Sequence, residues 1–178
     1  MVQDDLSDEN KPVSKSGDMF STNLDEWYKN INNVNLEFEH DINLVEDGSG
    51  KWIYDNSAFF PLSPETGYGA DIPGETENFL FTTELSLQFI YHKGQVFTFR
   101  GDDDLWVFIN GKLAMDIGGI HSPVEDSVNI DQFVEHSGFS FEDGERVPMH
   151  IFHAERNPTQ SNFRIETTIG CFATVMVK

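Results

Sequence analysis

Cysteine is almost missing from this chain. Its single cysteine, Cys171, excludes an intrachain disulfide and any zinc site built from several thiolates, and it reports nothing about redox compartment. Basic residues are scarce too: eleven Lys and Arg stand against thirty-one Asp and Glu, a formal net charge of −20. A field of that sign repels nucleic acid and anionic membrane surfaces, so neither is expected as a partner. No apolar run reaches the ~18 residues of a membrane span, and membrane insertion is not expected. No secretory signal pattern opens the chain; Met1 leads into a polar stretch, as expected for a piece of a larger protein. An Asn-x-Ser/Thr acceptor is missing, because Pro158 disqualifies Asn157. Also missing are a nucleophile elbow, a phosphate loop, a dinucleotide fingerprint and a His-Glu-x-x-His zinc pair, so no enzyme activity is expected.

Aromatic residues are abundant: sixteen Phe, three Trp and four Tyr among 178 residues. That length suits one domain with a core of its own, and aromatic richness favours strands. Residues 1–18 are polar and acidic and read as a disordered arm or linker, leaving residues 19–178 as the folded unit. A short helix is expected around Trp27 and Ile31, within residues 24–31. LEFEHDINL (residues 36–44) alternates like a half-buried strand, and Asp47-Gly48-Ser49-Gly50 signals a turn. Residues 79–91 and 95–101 read as a hairpin across His92-Lys93-Gly94. DLWVFING (residues 104–111) is apolar throughout, like a strand covered on both faces, and Asn110-Gly111 turns it tightly into KLAMDI. Residues 147–156 and 161–172 read as another strand pair. No helical periodicity interrupts these runs. The expectation is an all-β fold, a β-sandwich or jelly-roll-like barrel with long loops and at most short helices.

Asp102-Asp103-Asp104 stands between two apolar runs. Adjacent carboxylates raise one another's pKa unless a cation neutralises them, and a hard cation such as Ca²⁺ takes several oxygens at short range. Successive strand side chains point to opposite faces. Two neighbouring Asp therefore grip one ion only where the backbone between them turns sharply, as at a cis peptide.

The run from Phe97 through Arg100-Gly101-Asp102-Asp103-Asp104-Leu105-Trp106 to Asn110-Gly111-Lys112-Leu113 resembles the signature of the fibro-slime domain. So do Asp116-Ile117-Gly118-Gly119-Ile120-His121, Phe59-Phe60-Pro61-Leu62, Phe152-His153-Ala154-Glu155-Arg156 and Ser161-Asn162-Phe163-Arg164-Ile165. The resemblance covers about residues 52–172. It implies a PA14-like β-sandwich, a group that includes calcium-dependent lectins and adhesins of surface and secreted proteins. In those lectins an Asp-Asp pair joined by a cis peptide holds Ca²⁺, and the ion chelates sugar hydroxyls. Carried onto this chain, the resemblance implies Asp102 and Asp103 as the pair. Glu155, Asn157 and carbonyls of residues 156–160 supply the second loop, with Asp104 beside the ligand. Glu155 departs from the usual Asn of that loop.

Asp116 and His121 bracket a Gly-Gly turn and are candidates either for a pair that fixes the loop or for ligand contact. Arg156 is expected to brace the loop by ion pairing, and Ser161 and Asn162 to support the site or form a turn. His150 and His153 are expected to be packed, as is Trp106. Arg100-Gly101-Asp102 spells an integrin-type tripeptide, read as coincidence. The expected function is an extracellular, monomeric module of a larger protein that binds a glycan or polysaccharide, or a peptide, through calcium. The alternatives are a calcium-stiffened spacer and a glycoside hydrolase using one Asp of the Asp102-Asp103-Asp104 triplet with Glu155.

Overall fold

In the computed structural model, residues 1–15, 24–62, 74, 76–119, 123–156 and 160–174 are described. Ten strands form two antiparallel five-stranded sheets. The first sheet runs β1 (Val45–Glu46), β2 (Trp52–Asn56), β9 (Phe163–Thr167), β4 (Val96–Gly101), β7 (Val124–Asn129). The second runs β10 (Phe172–Thr174), β3 (Phe81–Ile90), β8 (Arg146–Glu155), β5 (Leu105–Ile109), β6 (Lys112–Ile117). The expected all-β sandwich is what forms. The sheets do not close, so the barrel alternative is not realised.

The main core lies between the sheets, built from Phe59, Phe81, Phe97, Phe99 and Phe163 with Leu105, Val107, Ile109, Met149 and Ile151. A second cluster explains why β5 is apolar at every position. Leu105, Val107 and Ile109 face the main core, whereas Trp106 and Phe108 join Phe152, Val2, Leu24 and Tyr28 on the other side. Alternation along a strand sends neighbours to opposite faces, and here both faces are covered. The covering pieces are the chain start and the 3-10 turn Leu24–Tyr28, which stands where a helix over 24–31 was expected. Residues 1–15, expected to be part of a disordered arm, lie along β6. The Leu6 amide donates to the Gly111 carbonyl (3.0 Å), the Leu113 amide donates to the Asp4 carbonyl (2.8 Å), and Val2 is fully buried.

Pairing corrects three expectations. Residues 79–101 do not make a hairpin: β3 pairs with β8 and β10, whereas β4 pairs with β7 and β9 in the other sheet. Residues 147–172 are not a strand pair either, since β8 and β9 also lie in different sheets. The short loop at Lys93-Gly94 carries the chain over the core rather than back along the same sheet. LEFEHDINL is not a strand; Leu36 and Phe38 are exposed, and pairing begins only at Val45. The Asn110-Gly111 hairpin does form, with both residues at positive φ (51° and 80°), the backbone a type I′ turn requires. One α-helix, α1 (Ile130–Ser137), was not anticipated. Asn129 caps it by accepting from the Gln132 amide, and Gly138 ends it in the left-handed region.

Hydrogen exchange tests the docking of the chain start. The Leu6 and Leu113 amides should exchange far more slowly than an unstructured peptide, because each bridges residues 1–15 to the β5–β6 hairpin. Exchange at the unstructured rate would contradict that packing.

Candidate functional site

Two links between the sheets are stacked at one end of the sandwich. Residues 102–104 join β4 to β5, and residues 156–162 join β8 to β9. Main-chain bonds lace them together: the Asp102 amide donates to the Asn162 carbonyl (3.4 Å), the Asp104 amide to the Ala154 carbonyl (2.6 Å), and the Ala154 amide to the Asp104 carbonyl (2.9 Å). With Asp104 opposite Ala154, Asp103 and Glu155 are the next residues outward on the two chains. Gly101 is required at this crossing, since a Cβ there would meet the Asn162 carbonyl oxygen at 2.5 Å.

The stacking encloses the carboxyl groups. Asp102, Asp103, Asp104 and Glu155 are exposed by only 4%, 1%, 0% and 1%. Acidic side chains are rarely buried to this degree without counter-charge. Asp102 is held by Asn162, whose main-chain amide and side-chain Nδ2 both donate to Oδ2 at 2.7 Å. Asp104 accepts from the Gly119 amide at Oδ1 (2.6 Å) and from Arg156 Nε at Oδ2 (2.5 Å). Burial nevertheless pushes the Asp104 carboxyl above the ordinary carboxylate range, in spite of Arg156 and the Gly119 amide. Asp103 and Glu155 lie in the same enclosed shell and also have interaction partners. Ser161 donates from Oγ to the Phe59 carbonyl (2.7 Å), which anchors the second link to the core.

The cis peptide bond lies between Asp103 and Asp104, one residue beyond the Asp102-Asp103 pair that the resemblance implied. Arg156 does brace the loop, and its partner is Asp104. Asp116 accepts from Trp106 Nε1 (2.9 Å) and from the Met1 amino group. His121 and Asn157 lie outside the described residues. His153 is packed as expected, among Phe59, Phe81 and Phe163, and burial pushes its imidazole down to about 3, so the ring is neutral. His150 is half-buried, with Nδ1 3.2 Å from Ser86 Oγ.

Among the described residues no three His, Cys, Asp or Glu side chains converge closely enough to hold a metal ion by themselves. A cation at this end would therefore need main-chain or amide oxygens, or water, beside the carboxylates. Four buried carboxyl groups lie together there, and Arg156 is ion-paired with Asp104 among them.

The chain is similar to several proteins of Dictyostelium discoideum. It is 32% identical to protein psiQ over 185 residues, covering 95% of this chain and 18% of that protein. It is 32% identical to protein psiD over 189 residues (96% and 36%) and 34% identical to protein psiR over 161 residues (84% and 16%). The chain thus spans about a third or less of the length of these curated relatives. No family model matches it, and no solved structure matches it.

Arg156→Gln leaves Asp104 enclosed without its charge partner and should cost about 3 kcal/mol, at the lower end for a broken buried pair. Arg164→Gln breaks ion pairs with the more exposed Asp55 and Glu166 and should cost less than about 1 kcal/mol. Urea unfolding of both variants checks the contrast, and equal losses would contradict the enclosed pair.

Proposed function

We propose that this chain is a non-catalytic module of a longer secreted or cell-surface protein, and that it binds a glycan through calcium held by main-chain or amide oxygens and water together with carboxylates of the Asp102, Asp103 and Glu155 cluster. One observation carries the reading: the carboxyl groups of Asp102, Asp103, Asp104 and Glu155 are enclosed together at one end of the sandwich. The resemblance to calcium-dependent PA14-like lectins adds Asn157 and carbonyls of residues 156–160 as further oxygen donors. Calcium bound there would supply open coordination positions suited to adjacent sugar hydroxyls.

The chain's own residues pre-arrange the site. Asn162 fixes Asp102 with two hydrogen bonds, and Arg156 and the Gly119 amide fix Asp104. Ser161 anchors the Asn162 link, so little side-chain ordering remains to be lost on binding. Charge-assisted hydrogen bonds from ligand hydroxyls to the aspartates are about twice as strong as neutral ones. A glycosidase reading has less support, because Asp104, one acid of the triplet, is committed to Arg156.

One observation favours a second reading. Arg156 already brings a cation into the cluster, as a rigid spacer needing no ligand would have it.

Calorimetry with a glycan panel in calcium and in EDTA separates these readings. The binding module predicts weak binding that needs calcium, that Asp103→Asn abolishes and that Lys93→Ala preserves. Equal binding in both buffers refutes the mechanism. No glycan bound in either buffer supports the spacer, and sugar hydrolysis supports the glycosidase.

A further inference from the structure

A pocket of about 430 Å³ opens on the outer face of the first sheet, lined by Asp55, Ser57, Arg100, Asn162, Phe163 and Arg164. The register explains its chemistry. Asp55 of β2 stands opposite Arg164 of β9, Arg164 opposite Arg100 of β4, and Arg100 opposite Glu125 of β7. One rung across the sheet therefore reads acid, base, base, acid. Like charges directly opposite each other on neighbouring strands are destabilising. This chain has only eleven basic side chains, so two of them side by side at a pocket calls for an account.

The two arginines are not equivalent. Arg164 is spent: Nη1 donates to Asp55 and Nη2 to Glu166 at 2.8 Å, and Glu166 is shared with Lys51. These pairs neutralise Asp55 on the pocket wall. The Arg100 side chain is exposed and makes no hydrogen bond or ion pair among the described residues. Glu125, the acid across from it, is exposed and not bonded to it. A planar guanidinium with its donors uncommitted matches a carboxylate in two-point fashion.

The pocket adjoins the enclosed aspartates. Asn162 lines it while donating to Asp102, and Arg100 precedes Asp102 by two residues, about 7 Å along a strand. From this placement we infer that the pocket is an acid-recognising subsite, in which Arg100 takes the carboxylate of a uronate-type sugar. The inference rests on the carbohydrate reading above and names the class of glycan. Charge sets a limit on that class. With a net charge of −20, a densely sulfated polymer is repelled. A glycan with isolated carboxylates is not, since screening confines each interaction to about 8 Å at physiological salt.

The test uses NMR titration of the whole chain in calcium, following the Asn162 side-chain amide and the Arg164 Hε signal. Glucuronate should shift both signals saturably, and glucose should bind about tenfold more weakly. Arg100→Gln should remove the preference for the acid without unfolding, because the Arg100 side chain is exposed and has no partner among the described residues. Glu125→Gln should tighten glucuronate by removing the competing acid. Signals unmoved by glucuronate, or moved equally in Arg100→Gln, overturn the inference. A Glu-rich peptide that binds more tightly than glucuronate overturns the assignment to a sugar. Glucose binding with no preference for the acid would leave the carbohydrate reading standing while this inference fails.

Discussion

The structure turns on the enclosure of acidic side chains at the crossing from one sheet to the other. Asp102–Asp104 lead from β4 into β5, and main-chain bonds tie them to Ala154 at the end of β8 and to Asn162 just before β9. Burial makes each charge there costly. The surrounding groups answer that cost: Asn162 gives two donors to Asp102, and Gly119 and Arg156 give two to Asp104. Gly101 keeps the crossing narrow enough for the links to touch. Phe59 and Phe163 pack around the neutral His153 ring next to Ala154 in β8. The same arrangement that makes the acids expensive holds them still, and a fixed set of oxygens is what a cation-dependent binding site needs.

The architecture was legible where local pattern alone decides it. β5 is apolar at every position, which announces a strand covered on both faces, and Asn110-Gly111 announces the turn that follows. Strand partnership was not legible. A three- or four-residue polar link carries no mark that says whether the chain returns along its own sheet or crosses the core, and two such links were misread as hairpins. Period-two alternation in residues 36–44 likewise did not secure a strand: Leu36 and Phe38 are exposed, while Ile42 and Leu44 pack against the core ahead of the first pairing at Val45. Helix α1 left small but usable signals in Asn129 and Gly138 at its two ends. The packing of residues 1–15 was hidden by polarity: Val2 and Leu6 are few, yet they cover Trp106 and Phe108.

At the site, Asp102-Asp103-Asp104 was conspicuous because charge interrupted an apolar stretch. Its internal geometry was not readable; the cis bond falls at Asp103-Asp104. The partner of Arg156 is Asp104, far away in sequence, and only the stacking of the two links brings them together. Arg100 went unremarked as a binding group because Arg-Gly-Asp drew attention to the tripeptide. What matters about Arg100 is its neighbour across the sheet, Arg164, which strand register alone reveals.

The central claim is that the enclosed carboxyl groups hold a calcium ion. Titrating calcium by calorimetry into protein stripped of metal addresses this most directly. The account predicts saturable binding with a dissociation constant of roughly 10⁻⁴–10⁻³ M or tighter, the range of extracellular calcium modules. That binding should be lost in Asp103→Asn while the fold is retained. No saturable binding by folded, metal-free protein, or undiminished binding in Asp103→Asn, would contradict it.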